Sequence, residues 1–410
     1  MAAVAPPSQT IRRALGALSV LDWIRIGLLL LGLVFVVTGL LPSADARASL
    51  ERIAPLLLFL FSVIVLAELT KEAGVFDAIA QGMARLGRGA YPALFLLCVA
   101  FASTTTVFLN LDTTAVLLTP VMLALAANAR IAALPLAMTT VWLANTASLL
   151  LPVSNLTNLL AADRVALETP EFAARMWAPQ LAALAVTMTL LWVFYWRRRM
   201  RGADRYEPPP PAPVRDRALF VSTGGACLLF IGAILAGVHT GIALGLAATA
   251  AAVVAVVAFA VRAPRALRPS LIPWQLMVFV TGLFLVEPTL ERYGLDEVMR
   301  GLVGADDGLG GALRAAFAGG GLANVINNLP AYVAGESAVP VANHDQLLAL
   351  LIGTNVGPVI TPWGSLATLL WFEWCRRWDV RVPMLKFVAT GALLAVLGCA
   401  ASVSVLLLTE

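Results

Sequence analysis

"TNVGPVITPWGSLAT", residues 354–368, interrupts an apolar stretch that opens with "LLALLIG" and resumes with "LLWF". Asn355, Gly357, Pro358, Thr361, Pro362, Gly364 and Ser365 all fall inside it. Pro362 has no N–H to donate and its ring clashes with the preceding turn, so a helix through this stretch must break and leave backbone groups free. Such groups cost several kcal/mol each in a bilayer unless they face protein or a polar cavity. A break here is tolerable where something polar is bound.

The surroundings of this stretch are those of a membrane. Hydrophobic residues make up 60% of the 410, charged residues only 13%, and the mean hydropathy is +0.87, far beyond a soluble domain. Apolar runs long enough to cross a hydrocarbon core of about 30 Å appear near 22–41, 53–70, 132–160, 180–196, 218–238, 241–261, 275–290, 346–374 and 387–408. Two further apolar pairs, 91–128 and 310–343, are each split by polar residues at their middle.

The net charge of +4 is sorted by loop rather than gathered into a nucleic-acid patch. The basic cluster in "RRRMRGADRYEPPPPAPVRDR", 197–217, marks a cytoplasmic loop, and the resulting map puts about 21 Lys and Arg inside and about 6 outside. The "SADA" stretch at 43–46 has the spacing of a cleavage site, but the run before it is too long for a signal core and is read as a membrane helix. Cys98, Cys227, Cys375 and Cys399 are scattered and imply neither disulfides nor a thiolate metal site. No HExxH, G-x-S-x-G or phosphate-cradling loop is present, and His239 and His344 stand at segment ends, so no enzyme and no cofactor is expected.

The opening stretch has a twin 210 residues upstream. "ANTASLLLPVSNLTN", 144–158, lies over 354–368 without gaps, setting Asn145 on Asn355, Pro152 on Pro362 and Leu156 on Leu366. Each twin follows a split pair, the first broken at "NLDTT" (110–114) and the second at "NNLP" (327–330). Four crossings per half plus one extra helix invert the second half relative to the first. The expected fold is therefore an all-α polytopic membrane protein of two inverted-topology repeats, each with a re-entrant helical hairpin and a broken transmembrane helix. Its parts are a cytoplasmic segment 1–21, repeat 1 at 22–196, a cytoplasmic linker 197–217, a linking helix 218–238 and repeat 2 at 239–410, with the N-terminus inside and the C-terminus outside.

Asp112 is the one acid placed near the midplane, where a carboxylate is by default a proton, ion or substrate site; its structural alternative is to cap a helix starting at Thr113. Glu287 and Glu373 read as interfacial. Trp142, Trp363 and Trp371 read as packing or anchoring residues.

The motifs "NTASLLLPVSNLTNLLAAD" (145–163), "VINNLPAYVAGESAV" (325–339) and above all "GPVITPWGSLATLLW" (357–371) resemble those of the bacterial arsenite efflux pumps of the ion transporter superfamily, which also holds citrate and dicarboxylate carriers. The resemblance runs from about residue 20 to 408 and implies two hairpin tips, Asn110 to Thr114 and Asn327 to Pro330, meeting two broken helices, Asn145 to Asn158 and Asn355 to Thr368. The chain carries Asn145 and Asn355 where those pumps tend to carry Asp, and its first tip departs from their "ANDGAA". It also lacks the Ser-Asn-Thr tips of the carboxylate carriers.

The candidate substrate residues are Asn110, Thr113, Thr114, Asn145, Ser148, Ser154, Asn155, Thr157, Asn327, Asn328, Asn355, Thr361, Gly364, Ser365 and Thr368, with Asp112 carrying a coupled proton. Hydroxyls, amides and free backbone suit the uncharged arsenite triol, which both donates and accepts. The expectation is export of arsenite and antimonite through the bacterial cell membrane, with an ion-coupled citrate, dicarboxylate or other small-anion carrier as the alternative. The resemblance allows a cytoplasmic ATPase subunit and leaves room for a homodimer.

Overall fold

A computed structural model describes residues 20–197, 205–208, 214–240, 244–304, 306 and 308–409. Most of the expected N-terminal segment 1–21, and much of the linker 197–217 with its proline run, lie outside the described residues. Among those described there are only helices and one isolated bridge, Ala90 with Arg205. Among the described residues eight helices are long and apolar enough to cross a membrane. Leu246 and Val261 on the outer face of one of them are more than 60% exposed, which is the pattern of lipid-facing side chains.

The first half begins with α1 (Val20–Val37) and α2 (Ser43–Glu72), then a short α3 (Val75–Leu86). A helical pair follows, α4 (Tyr91–Leu109) and α5 (Leu111–Ala129), turning on the single residue Asn110. Then come α6 (Ala133–Thr146) and α7 (Leu156–Arg164), separated by an irregular stretch, and finally α8 (Thr169–Leu191). Pro152 sits in the gap and opens a 3₁₀ turn, Pro152–Ser154. The expected span at 180–196 starts earlier because Glu168 and Glu171 form a capping box and Pro170 occupies the first turn, a combination that nucleates a helix before the apolar run begins.

The second half repeats this order after α9 (Arg217–Thr240): α10 (Leu244–Arg262), α11 (Trp274–Leu290) and a short α12 (Asp296–Val303). Its helical pair is α13 (Gly308–Ile326) and α14 (Asn328–Glu336), turning on Asn327. Its interrupted helix is α15 (His344–Val356) with α16 (Leu366–Arg377), and α17 (Met384–Leu408) closes the chain.

The two halves interlock through their broken helices: α7 packs on α14 and α15, while α16 packs on α5 and α6. Close approach of backbones at small residues makes this possible. A Cβ at Gly357 would lie 2.5 Å from the Cα of Gly320, and one at Gly353 would run into the carbonyl of Ala316, so α13 and α15 touch backbone to backbone.

Candidate substrate site

Both helical pairs turn in the same unusual way. Asn110 has φ 101° and ψ 167°, Asn327 φ 91° and ψ 156°, a region that side-chain-bearing residues seldom adopt and that marks functional strain when it occurs. The Asn110 carboxamide closes the first turn by accepting from the Thr113 N–H at 2.9 Å. That makes Asn110, not Asp112, the cap of α5, so the capping role considered for Asp112 falls away. Asp112 stands in the first turn with its Oδ1 enclosed and unpartnered. Asn327 instead reaches across, its Nδ2 donating to the Trp363 carbonyl at 3.0 Å.

The two breaks end alike. Asn155 and Ser365, both extended, cap α7 and α16 by accepting from the Thr157 N–H at 3.3 Å and the Thr368 N–H at 3.1 Å. The N-terminal ends of two helices, with their partial positive charge, therefore open toward the middle of the protein.

Asn145 and Asn355, on the last turns before the breaks, span to the opposite half. Asn355 Nδ2 donates to Asn158 Oδ1 at 2.6 Å, and its Oδ1 accepts from Thr157 Oγ1 at 2.7 Å and Asn155 Nδ2 at 3.0 Å. Asn145 Nδ2 donates to Thr368 Oγ1 at 3.3 Å, and Thr368 in turn lies 2.9 Å from Ser365 Oγ. Asn145 Oδ1, fully buried, has no partner. The reason is local, since the position matching Thr157 is Ala367, which has no hydroxyl to offer.

A cavity of about 70 Å³ lies where the four ends meet, lined by Asp112, Asn155, Asn327 and Asn328 and walled by Leu56, Leu111, Leu156, Val280, Leu283, Phe284, Leu329, Leu366 and Leu369. Among the described residues no Lys or Arg lines it. The space is small, with room for a few water-sized groups.

Several expected site residues spend their polar groups elsewhere. Thr114 Oγ1 donates to the Asn110 carbonyl, Ser148 Oγ to that of Asn145, Ser154 Oγ to that of Val107, and Thr361 Oγ1 to that of Asn324. Thr113 is buried with its hydroxyl unpartnered, and at Gly364 a Cβ would come 2.7 Å from the Pro358 carbonyl. Ser365 is fully buried in the Thr368 network and does not line the cavity.

Glu287 and Glu373 are 3% and 2% exposed, covered by neighbouring helices. Glu373 holds Arg376 at 2.6 Å and Arg377 at 2.8 Å, and Arg377 continues to Glu68 at 2.9 Å. The tryptophans pack as expected: Trp371 Nε1 donates to the Ala137 carbonyl, Trp363 Nε1 to that of Asn324, and Trp142 stands edge-on to Tyr195.

Two residues escaped sequence reasoning. Asn324, three residues before the second tip, accepts from the Ile360 and Thr361 N–H groups at 3.2 and 3.0 Å and donates to the Gly357 carbonyl at 2.8 Å. Gln180 on α8 braces the first break, accepting from the Leu149 N–H at 2.8 Å and donating to the Thr146 carbonyl at 3.0 Å. The available signal was a lone amide in each of the apolar runs "AGGGLANVI" and "APQLAAL", where an amide needs a buried partner.

A bundle that is helical throughout its described spans, with a cavity holding one carboxyl and three carboxamides at the meeting point of broken helices, has the form of a membrane transporter for a small molecule. The profile described as "Citrate transporter" (CitMHS) matches residues 17–353. The arsenical pump membrane protein of Escherichia coli strain K12 is 30% identical over 88% of this chain and 87% of its own length. That of Yersinia enterocolitica is 31% identical over 81% of each chain. The rice silicon efflux transporter LSI3 is 29% identical over 43% of this chain and 36% of its own length. The Alcanivorax borkumensis YdaH transporter structure superposes with a TM-score of 0.43 at 15% identity, covering 95% of this chain and 97% of that one. The chain is therefore a member of the citrate transporter family and a homologue of arsenical pump membrane proteins; it is a transporter and not an enzyme.

Proposed function

We propose that the protein exports arsenite and antimonite from a bacterial cytoplasm, driven by the proton gradient. The observation that carries this reading is the small cavity itself: amide side chains and one carboxyl, no basic residue, and room for a compact neutral triol. Hydroxyl groups on such a cargo can donate to carbonyl oxygens and accept from amide N–H groups without any fixed positive charge. The names of the relatives support a metalloid cargo, since one pumps arsenicals and another moves silicon outward.

In this reading the halves are inverted repeats, the turns at Asn110 and Asn327 are tips of re-entrant hairpins entering from opposite faces, and the N-terminus is cytoplasmic while the C-terminus lies outside the inner membrane. Exposure of the cavity alternates as the tips move against the broken helices. Asp112 carries the proton: its enclosed carboxyl at the cavity is costly when charged at that depth. Substrate contacts fall to Asn155, Asn327 and Asn328, while Asn145, Ser148, Thr157, Asn355, Thr361, Ser365 and Thr368 hold their frame. A cytoplasmic ATPase and a second copy are partners the same reading accommodates.

A second reading, transport of citrate or another small anion, is favoured by the two helix N-termini at the cavity, which can hold an anion unaided. Expression in an arsenite-sensitive bacterium lacking its own pump separates the two. Export predicts lower cellular arsenite and higher resistance, whereas unchanged arsenite with saturable citrate uptake replaces it with the anion carrier.

A further inference from the structure

Away from the substrate site, a second cavity of about 570 Å³ runs between α9 and the first helical pair, with α2 and α3 at its end. Its walls are Phe76 and Ile79 of α3, Phe101 and Leu109 of α4, Leu118 of α5 and Val221 of α9. Its polar side chains are already engaged: Thr70 Oγ1 donates to the Leu66 carbonyl at 2.7 Å and lies 3.2 Å from Cys227 Sγ, and Thr105 Oγ1 donates to the Phe101 carbonyl at 2.7 Å. A cavity with no unsatisfied polar group does not retain water, so its occupant is apolar. Val221 and Leu228 at its rim are 61% and 71% exposed, so it opens on the bundle's outer surface, where lipid lies.

The width of the groove comes from Gly224 and Gly225. A Cβ at Gly224 would touch Val75 at 3.7 Å, and one at Gly225 would meet nothing within 4 Å. One turn before Val221 on the same face of α9 stands Arg217, exposed, with Arg215 beside it. The intervening Asp216 does not neutralise them. It caps α9 through the Ala218 and Leu219 N–H groups and is held by Arg262 at 2.9 Å, which keeps its carboxyl below the usual range. Among the described residues no carboxylate pairs with Arg217.

We infer that this groove binds one acyl chain of an anionic phospholipid, with the phosphate at Arg217 and the tail running between α9 and the first helical pair. Leu109, the residue before the strained turn at Asn110, is part of the groove's wall. The lipid therefore braces the tip of the pair that meets the substrate cavity, and its chemistry is set by two features far apart in sequence: a glycine pair that opens the slot and an unpaired arginine at its mouth.

Native mass spectrometry of the full chain, released from detergent with added phosphatidylglycerol, phosphatidylethanolamine or glycerol 3-phosphate, tests this. The wild type is expected to retain one phosphatidylglycerol in preference to phosphatidylethanolamine and to retain no glycerol 3-phosphate, which has the headgroup charge without the tail. Gly225→Leu and Val221→Trp, which fill the slot, lose the adduct. Leu229→Trp, an exposed neighbour that does not line the groove, keeps it. Arg217→Gln retains lipid but no longer distinguishes the two headgroups. The inference is overturned if folded Gly225→Leu and Val221→Trp keep the wild-type adduct, if the wild type binds both lipids equally, or if it leaves detergent as a lipid-free dimer. Should both filling variants fail to fold, the wild-type comparison of the two lipids decides alone.

Discussion

The side-chain amide of Asn355 donates to Oδ1 of Asn158 at 2.6 Å, tying the last turn before one break to the first turn after the other. The matching positions of the repeat, with the halves exchanged, are Asn145 and Thr368, and they too are joined, at 3.3 Å. Each half thus fixes its break by gripping the half-helix that follows the break in the other half.

The two grips are unequal, which makes them separable. Asn355→Ala removes the acceptor for Thr157 and Asn155 as well as the donor to Asn158, leaving buried groups unpaired at a cost of about 3 kcal/mol or more. Asn145→Ala removes a long bond to Thr368 and one to the Val141 carbonyl and is expected to cost about 1 kcal/mol. Thermal unfolding in detergent should place Asn355→Ala well below Asn145→Ala; the reverse order would show that the grip is not what holds the breaks.

Ala367→Ser offers the missing hydroxyl to Asn145 Oδ1, as Thr157 does for Asn355. Satisfying a buried carbonyl should stabilise the protein by about 1 kcal/mol, read as a higher Tm than wild type. A lower Tm would mean that the fully buried Ala367 position has no room for the added oxygen.

Asn324→Ala leaves the Ile360 and Thr361 N–H groups and the Gly357 carbonyl without partners. The second break should lose its shape, lowering Tm by an amount equivalent to about 2 kcal/mol or more and abolishing transport. Full transport by this variant would remove Asn324 from the account of the site.

Cysteines at 155 and 328, which line the cavity, should react with a small thiol reagent and be protected by substrate. One at 365, fully buried in the Thr368 network, should stay unreactive with or without it. Protection at 365 but not at 155 would relocate the site.

Much of this arrangement was legible beforehand because membrane burial makes breaks expensive. The gapless register of 144–158 on 354–368 located both interruptions and set Asn145 on Asn355, expected at the substrate and found tying one half to the other. Pair partners were not legible. That Asn155 and Thr157 converge on Asn355 depends on α7 packing against the other half, which no local pattern encodes. Asn110 took the cap from Asp112 because a positive φ at the tip carries the chain into α5 at Leu111, two residues earlier than the polar cluster suggested. That Glu373 shares Arg377 with Glu68, some 300 residues upstream, was likewise not legible.

Asp112→Asn keeps the size of the side chain at the cavity but removes its titration. It should bind arsenite as the wild type does, by thermal shift, while losing transport driven by a proton gradient.

Everted membrane vesicles carrying wild-type or Asp112→Asn protein, supplied with arsenite at a fixed imposed pH gradient, test the central claim most directly. Wild-type vesicles should accumulate arsenite while their interior is acid and stop when the gradient is collapsed, and Asp112→Asn vesicles should not accumulate it under either condition. Wild-type vesicles that ignore arsenite, or Asp112→Asn vesicles that concentrate it with the wild-type dependence on the gradient, would contradict the account.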